Sequence, residues 1–456
     1  MTRLLAIDRS QWGWLAAALV AGVFAGVIAA GASRPELLAG AVVAVIMAAA
    51  VLARYEVGAV LMVATLPLDE YGRVISAPVT VTLFHLALLL TLGSFAIAPL
   101  WRTDVKLRFS AVDAGIAALI GAALWSLPGS LAPTATIVAI VRLVGLWAFT
   151  LLYANALSQR RVADWVTWAL VGTGVGSAML AIVQYAVPSF TFGSIRMINE
   201  GGGSYLRRVG ALFHDPNFLA TFLTVSLIAA GALLVHERTW KRAALWGGAS
   251  LVLLAGIAVT FSRTAIIGLG VGAIALVLTA PKERRMWLLG AGVALVLAVL
   301  IVAPGQVTER VASIGEVGYN NSNATRYYML GSTVEIMRDE WVHGTGLAAF
   351  DKAYPRYRRL GSLSTILKPH QLPLAMVAEM GVAGLIAEIV LVGSIIAVLW
   401  RRRPKGWSAY EAFAVAGLVA ILVQALFQYY LYFEYLWLLV AFAVAAPRLA
   451  AEEESV

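Results

Sequence analysis

Residues 217–235 carry the sequence NFLATFLTVSLIAAGALLV, nineteen consecutive residues without a charged side chain. A helix that crosses the hydrocarbon core of a bilayer needs about 20 mostly apolar residues. Similar runs recur along the whole chain, in which 61% of the 456 residues are hydrophobic and only 13% are charged. Soluble domains are roughly a quarter charged. The sequence therefore predicts an integral membrane protein.

The apolar runs predict an all-α fold, a polytopic membrane helix bundle of about 12–14 transmembrane helices with a large folded helical extracytoplasmic loop. The fourteen candidate spans are residues 13–32, 36–53, 57–68, 80–100, 110–127, 134–156, 163–186, 217–235, 243–261, 264–280, 286–303, 372–400, 409–428 and 432–446. The third is short and the last two are closely spaced, so twelve spans is the alternative. We expect a first part of the bundle in 1–303, an extracytoplasmic loop domain in 304–371 and a last part of the bundle in 372–456.

Lys and Arg are concentrated on alternate connections between these spans. With the N-terminus in the cytoplasm, most of the charge falls inside, for example in Arg238–Arg242, Lys282–Arg285 and Arg401–Lys405. The short outer connections hold only Arg34 and Arg73. Because Lys and Arg accumulate in cytoplasmic loops, this bias predicts cytoplasmic N- and C-termini.

The long loop 304–371 has its own helical pattern. We expect an amphipathic helix from Asn323 to Trp341 and a second, short helix from Leu347 to Tyr354 that Pro355 ends. Apolar residues at helical spacing in the first are Leu330, Val334, Met337 and Trp341. The loop is therefore predicted to fold over the outer membrane surface.

Composition excludes several kinds of site. Cysteine is absent, which rules out disulfides, thiolate metal sites and a cysteine nucleophile. With five His, a zinc cage is not expected. The net charge of +9 lies in short clusters between apolar runs, which is typical of membrane topology and not of a nucleic-acid-binding face.

Three predicted helices begin at the same outer level. Asp215 can cap the first, with Pro216 at its first position, and Ser262 can cap the second, which begins at Arg263. The third follows the segment Lys368–Gln371. Helix N-termini favour anions, so three of them at one level indicate an anion site.

Arginines accompany these helix starts. Arg207 and Arg208 precede the first, Arg263 begins the second, and Arg326 lies on the loop helix. Arginine binds phosphate oxygens in a bidentate way, so the four predict a pocket for a phosphate-bearing ligand at the outer leaflet. The alternative is that each Arg only reaches out to the lipid headgroups.

Among the histidines, only His370 combines an outer position, a helix start and nearby cations. Positive neighbours favour the neutral form of imidazole, which suits a general base near neutral pH. A purely structural histidine is the alternative. Three further charges, Arg142, Glu379 and Glu388, lie inside spans, where a structural pair and a proton path are both open.

Residues 200–390 resemble the O-antigen ligase and polymerase family in the order and spacing of five motifs. The motifs are Arg207-x-x-Gly210-x-x-Phe213-x-x-Pro216-Asn217, Ser262-Arg263, the loop helix from Arg326, Gly344-Thr345-Gly346 followed by Phe350 and Tyr354, and His370-Gln371 followed by Ala378-Glu379-Met380-Gly381. One departure is Gln371, which stands where the family usually has Asn.

The resemblance implies a GT-C-type fold and transfer of a glycan from a polyprenyl diphosphate carrier to a glycan, lipid or protein acceptor. It places this reaction on the outer face of the bacterial cytoplasmic (inner) membrane, without a cofactor or metal and without nucleic acid. The catalytic residues it implies are His370 and Arg263. The diphosphate-binding residues are Arg207, Arg208, Arg263 and Arg326, and the supporting residues are Asn217, Gln371 and Glu379.

Other functions compete with this one. A polysaccharide polymerase of the same family shares its chemistry, and a protein-glycosylating transferase differs only in acceptor. A lipid-linked glycan transporter or flippase would instead show internal repeats and helices broken near the membrane midplane. A structural scaffold would not need arginine at three helix starts.

Overall fold

The computed structural model describes most of the chain. The described residues are 35–68, 71–75, 81–100, 102, 107–201, 204–290, 292, 322–359, 369–400 and 406–453. The expected span 13–32 and most of 286–303 lie outside them, as does a large part of the loop 304–371.

Helices dominate the described residues. They are α1 (Pro35–Ala53), α2 (Tyr55–Thr65), α3 (Leu83–Ile97), α4 (Ala111–Trp125), α5 (Pro133–Ala156), α6 (Arg160–Ala186), α7 (Pro216–His236), α8 (Trp240–Val259), α9 (Arg263–Thr279), α10 (Ser322–Asp339), α11 (Phe350–Tyr357), α12 (Leu372–Trp400), α13 (Ala409–Ala425) and α14 (Glu434–Glu453). Every predicted span that falls within the described residues coincides with one of these helices. Six helices within the described ranges are long and apolar enough to cross a membrane. The predicted polytopic helical membrane fold is confirmed.

Local sequence explains where the central helices begin. Asp215 caps α7, because its side chain accepts a hydrogen bond from the backbone N–H of Asn217 at 2.7 Å. Ser262 caps α9 by accepting from the backbone N–H of Ala265. Both caps agree with the prediction from sequence.

Helix α7 forms the centre of the bundle, and small residues let its neighbours approach closely. A Cβ on Gly256 of α8 would lie 2.5 Å from the Cβ of Ala178 in α6, and a Cβ on Gly272 of α9 would lie 2.8 Å from that of Ala420 in α13. Close backbone approach is the usual basis of helix packing in membranes. Helix α12 packs on the bundle through buried residues such as Ala375. Its other side directs Leu385, Ile386, Ile389 and Ile396 outward, as a lipid-facing helix does.

Two short hairpins in the described part of the chain add to the predicted all-helical fold. Strands β1 (Arg73–Ile75) and β2 (Val81–Thr82) form the first, and β3 (Ser194–Gly201) and β4 (Ser204–Ala211) form the second, both antiparallel. The second hairpin packs against α6 and α7. Gly202 and Gly203 stand between its strands in the sequence, and such a Gly-rich connection is a hairpin signal.

Helix α12 is not continuous. Gly381 has φ 62° and ψ −152°, which breaks the helix after its first turns. The loop segment that follows α10 fills the break: Thr345 and Gly346 donate backbone N–H groups to the carbonyls of Ala378 and Glu379 at 3.0 and 2.9 Å. On the other side of the break, the N–H of Val382 donates to the carbonyl of Trp341 at 2.8 Å. Backbone groups freed by the break therefore find partners in the protein, as buried polar groups must.

The loop helices differ in detail from the prediction. Helix α10 buries Met329, Thr333 and Ile336, whereas Leu330 and Trp341 are exposed. The predicted apolar face was therefore wrong by about one position. The buried face is the one that contacts α11 and α12, and the sequence of α10 alone does not show where these helices lie. Helix α11 continues through Pro355 to Tyr357, so the prediction that Pro355 ends it was also wrong.

A compact apolar cluster joins this loop to the bundle. Its members are Met329, Ile336, Phe350, Ala353, Tyr354 and Ala378, the last of them from α12. The described part of the loop is thus packed directly on a membrane helix. Domain limits at residues 303 and 371 stay a prediction.

The break at Gly381 generates the first testable prediction. A Cβ at this position would lie 2.4 Å from the carbonyl oxygen of Val342, in a backbone conformation that only glycine adopts readily. Gly381→Ala should lower the free energy of unfolding by about 1–3 kcal/mol or more, measured as a lower midpoint of thermal unfolding in detergent. Gly393→Ala is the matched control, because an added Cβ there meets nothing within 4 Å. Equal midpoints for the two variants would contradict this role of Gly381.

Candidate active site at the helix starts

The starts of α7 and α9 are joined by side chains. The amide oxygen of Asn217, at the second position of α7, accepts a hydrogen bond from the Ser262 hydroxyl at 2.9 Å. Since Ser262 is also the cap of α9, this contact fixes the two N-termini side by side. Phe261, directly before the cap, has φ 52°, an uncommon value for a large side chain that fits a tightly constrained turn.

Arg208 of β4 is anchored at the same place. Its Nη2 donates to the amide oxygen of Asn217 at 2.9 Å, and its Nε donates to the backbone carbonyl of Thr260 at 2.8 Å. Both acceptors are uncharged. The guanidinium is therefore held rigidly next to two helix N-termini while its positive charge is not neutralised by these contacts.

Arg207 behaves differently from its neighbour. Successive residues of a strand point to opposite faces, and Arg207 reaches the carbonyl of Phe190 at 3.4 Å instead of the helix starts. Of the two arginines named from the sequence, only Arg208 has a described contact with the elements that carry the other predicted site residues.

An acidic residue, Asp215, also lies at this site. One carboxylate oxygen caps α7, and the other accepts a hydrogen bond from Arg196 of β3 at 2.9 Å. Arg196 forms a salt bridge with this carboxylate. The negative charge of Asp215 is therefore largely balanced by Arg196 of the hairpin and by the N-terminus of α7.

Arg326 of α10 faces the helix starts from the loop side. Burial lowers the pKa of its guanidinium most, the nearby charge of Arg263 lowers it too, and Tyr430 and Asp215 act in the opposite direction. Its Nε atom is buried and has no hydrogen-bond partner among the described residues. The loop therefore places a poorly solvated cation close to Arg263.

His370 precedes α12 and completes the cluster. Burial lowers the pKa of its imidazole, and the positive charge of Arg326 lowers it further, whereas a hydrogen bond to Gln428 and the charge of Asp215 raise it. The net direction is downward, so the imidazole is neutral near pH 7. The Nδ1 atom lies 3.2 Å from the amide oxygen of Gln428.

Gln371 lines a cleft next to His370. The cleft has a volume of about 520 Å³ and is bounded by Arg326, Tyr327, Leu330, Gln371, Pro373, Leu374, Leu426 and Phe427. The Oε1 atom of Gln371 is buried without a hydrogen-bond partner in the described part of the chain. The cleft is mostly apolar and opens beside the base candidate.

Glu379 and Arg142 are linked through tyrosines. Glu379 is buried and accepts a hydrogen bond from the Tyr429 hydroxyl at 3.1 Å. The Arg142 guanidinium lies 5.9 Å from the centre of the Tyr432 ring, which in turn lies 5.9 Å from that of Tyr429. This arrangement joins α5 and α12 through the connection between α13 and α14.

That connection, residues 426–433, holds contacts that the sequence analysis missed. Gln428 contacts His370, Tyr429 contacts Glu379, and the Tyr430 hydroxyl lies 2.7 Å from that of Thr221 in α7. The available signal was the run of tyrosines between two closely spaced spans, since tyrosine is enriched at membrane interfaces.

Within the described residues, no group of three or more His, Asp or Glu side chains is placed to hold a metal ion.

Fold and site together define a polytopic membrane protein with arginines and a histidine gathered where three helices begin. Residues 248–389 match the sequence model of a family described as O-antigen ligase. The matched region includes α9, both loop helices and the start of α12, and hence Arg263, Arg326 and His370. The resemblance recognised from the motifs is confirmed for this region, which is similar to a ligase or polymerase type of membrane transferase. A comparison with curated proteins gave no match.

The opposite orientations of Arg207 and Arg208 give the second prediction. Arg208→Ala removes both donors described above and leaves the Thr260 carbonyl without this partner, so the free energy of unfolding should fall by about 1–3 kcal/mol. Arg207→Ala should stay within about 0.5 kcal/mol of wild type. Thermal unfolding of the two variants in the same detergent checks the difference. A larger loss for Arg207→Ala would contradict the assignment.

Proposed function

We propose that this protein transfers a glycan from a polyprenyl diphosphate carrier to an acceptor hydroxyl at the outer face of the membrane. The observation that carries the proposal is that Arg326 lies close to both Arg263 and His370, a partly buried histidine whose pKa is lowered by burial and by the Arg326 charge. Arg208 extends the cationic cluster through Asn217 and Ser262. A diphosphate needs cations and a hydroxyl nucleophile needs a base, and the cluster offers both.

The arginines support departure of the carrier. When the bond between the anomeric carbon and the diphosphate oxygen breaks, negative charge develops on that oxygen. Guanidinium groups already fixed at the site stabilise this charge without reorganisation. Arg208 and Arg263 stand at helix N-termini, whose dipoles favour anions as well. In this scheme Arg326 approaches the diphosphate from the loop.

His370 supplies the base. The acceptor oxygen attacks the anomeric carbon, its proton passes to the imidazole, and the carrier diphosphate leaves from the opposite side of the carbon. A single in-line displacement inverts the anomeric configuration. No metal enters the proposed scheme, and Asn217, Gln371 and Glu379 act in support.

The orientation follows from the charge pattern of the sequence. The cluster lies at the N-terminal ends of α7 and α9, which the distribution of Lys and Arg directs outward. We therefore place the active site on the extracytoplasmic face of the bacterial inner membrane, with both termini in the cytoplasm. Apolar helix surfaces would hold the prenyl tail, and the loop with α10 and α11 would cover the glycan.

A polymerase of the same family would use the same residues, because only the acceptor differs. The length distribution of the products separates the two: a ligase transfers a finished chain once, whereas a polymerase extends it repeatedly. The transporter alternative gains less support. Helix α12 is broken at Gly381 as that alternative expects, but the break is filled by loop backbone.

The third prediction tests the assigned chemistry in an in vitro transfer assay with a lipid-linked donor. His370→Ala should lower kcat by about 100-fold to 10,000-fold, the usual contribution of a general base. Arg263→Ala should lower it by about 100-fold to 1,000-fold. Arg161→Ala is the control and should keep the full rate. Arg161 stacks on Trp165 near the N-terminal end of α6, whereas α6 contacts the hairpin through Gln184 near its C-terminal end. Full activity of His370→Ala would remove the base assignment.

The fourth prediction concerns pH. A pKa of His370 below its ordinary value of about 6.5 means that the neutral, proton-accepting form persists to lower pH than for a free imidazole. A plot of kcat/KM against pH should be flat near pH 7, with its acid limb below about 6.5. An acid limb clearly above that value would contradict the site geometry.

A further inference from the structure

Gln428 makes a direct contact with the base candidate. Its amide oxygen lies 3.2 Å from Nδ1 of His370, and the side chain is buried at 6% exposure. An amide oxygen accepts hydrogen bonds and cannot donate them. For this contact to be a hydrogen bond, Nδ1 must carry the proton, which leaves the lone pair of the neutral ring on Nε2.

The position of Gln428 is fixed by its two successors in the chain. Tyr429 donates its hydroxyl to Glu379 of α12 at 3.1 Å, and the Tyr430 hydroxyl lies 2.7 Å from that of Thr221 in α7. Three consecutive side chains thus contact His370 just before α12, Glu379 in α12 and Thr221 in the N-terminal half of α7. The connection cannot shift without breaking one of these contacts.

We infer that Gln428 is a positioning residue that selects the Nδ1–H tautomer of His370 and so presents Nε2 as the proton acceptor. The inference rests on the proposed function, because it concerns the base of that reaction. In a neutral imidazole, the hydrogen bond made by one ring nitrogen determines which nitrogen carries the proton and which can accept one. Gln428 does this for His370 from a connection outside the region that matches the family.

A neutral partner suits this environment better than a carboxylate. Among the described residues, the charged groups that face His370 are Arg326 from α10 and Asp215 at the start of α7. A carboxylate in place of the amide would favour the imidazolium, which cannot accept a proton. The uncharged amide orients the ring and leaves it unprotonated.

The first experiment compares three variants in the transfer assay across pH. Gln428→Glu should move the acid limb of the kcat/KM profile upward by about one pH unit or more, because it places a carboxylate at hydrogen-bond distance from the ring. Gln428→Ala should lower kcat by about 10-fold to 100-fold, part of the full contribution of a general base, with little change in KM for the donor. Gln159→Glu is the matched control, and its profile should equal that of wild type. Gln159 donates a hydrogen bond to the Tyr55 hydroxyl and has no described contact with His370. A wild-type profile for Gln428→Glu would overturn the inference.

A second measurement needs no change at position 428. Nitrogen-15 NMR of histidine-labelled protein in nanodiscs reports the tautomer of each of the five histidines, and the His370→Ala spectrum assigns the signal of interest. A neutral ring with the proton on Nδ1 supports the inference, and one with the proton on Nε2 overturns it, even if the Gln428 variants do not fold. If His370→Ala keeps its full rate, the proposed reaction loses its base. The measured tautomer still shows whether Nδ1 of His370 donates a hydrogen bond to Gln428, so the two failures can be distinguished.

Discussion

The closure of the broken helix α12 is the constraint on which the rest of the site depends. A helix interrupted inside a membrane protein exposes backbone groups, and each one left unsatisfied costs several kcal/mol. Here the segment from Trp341 to Gly346 supplies the missing partners at Gly381. That segment leads directly from α10 and packs on α12, so the helix that carries Arg326 and the one that follows His370 are tied together by backbone geometry.

The glycines of the recognised motifs have a clear role in this closure. Gly344 has φ 69°, and a Cβ there would lie 2.3 Å from the backbone of Glu379. Gly346 has φ 94°, and its Cβ would meet Ser130 at 2.2 Å. Motifs that look like catalytic signatures in the sequence are thus partly structural, since they allow two backbones to touch. The chemistry stays with the side chains that these contacts place.

The spans and helix starts could be predicted from sequence, because apolar run length and capping residues are local signals. The choice between Arg207 and Arg208 could not, because it depends on the β4 strand and on which face of that strand meets α7. The break at Gly381 was also out of reach, since a glycine in an apolar run is common in membrane helices. Gln428 remained hidden because its role arises only when distant helices are brought together.

The electrostatics of the site link donor binding to the strength of the base. Before the donor binds, burial and the charge of Arg326 keep His370 neutral. A diphosphate docked on Arg263 and Arg326 would bring negative charge near the same imidazole, and an opposite charge favours the protonated form. The ring would then hold an incoming proton more tightly when the donor is in place than when the site is empty. In the proposed reaction, Arg326 therefore has two effects on His370. Before the donor binds, its charge keeps the imidazole unprotonated. After the donor binds, the diphosphate held by the arginines raises the affinity of the imidazole for the acceptor's proton.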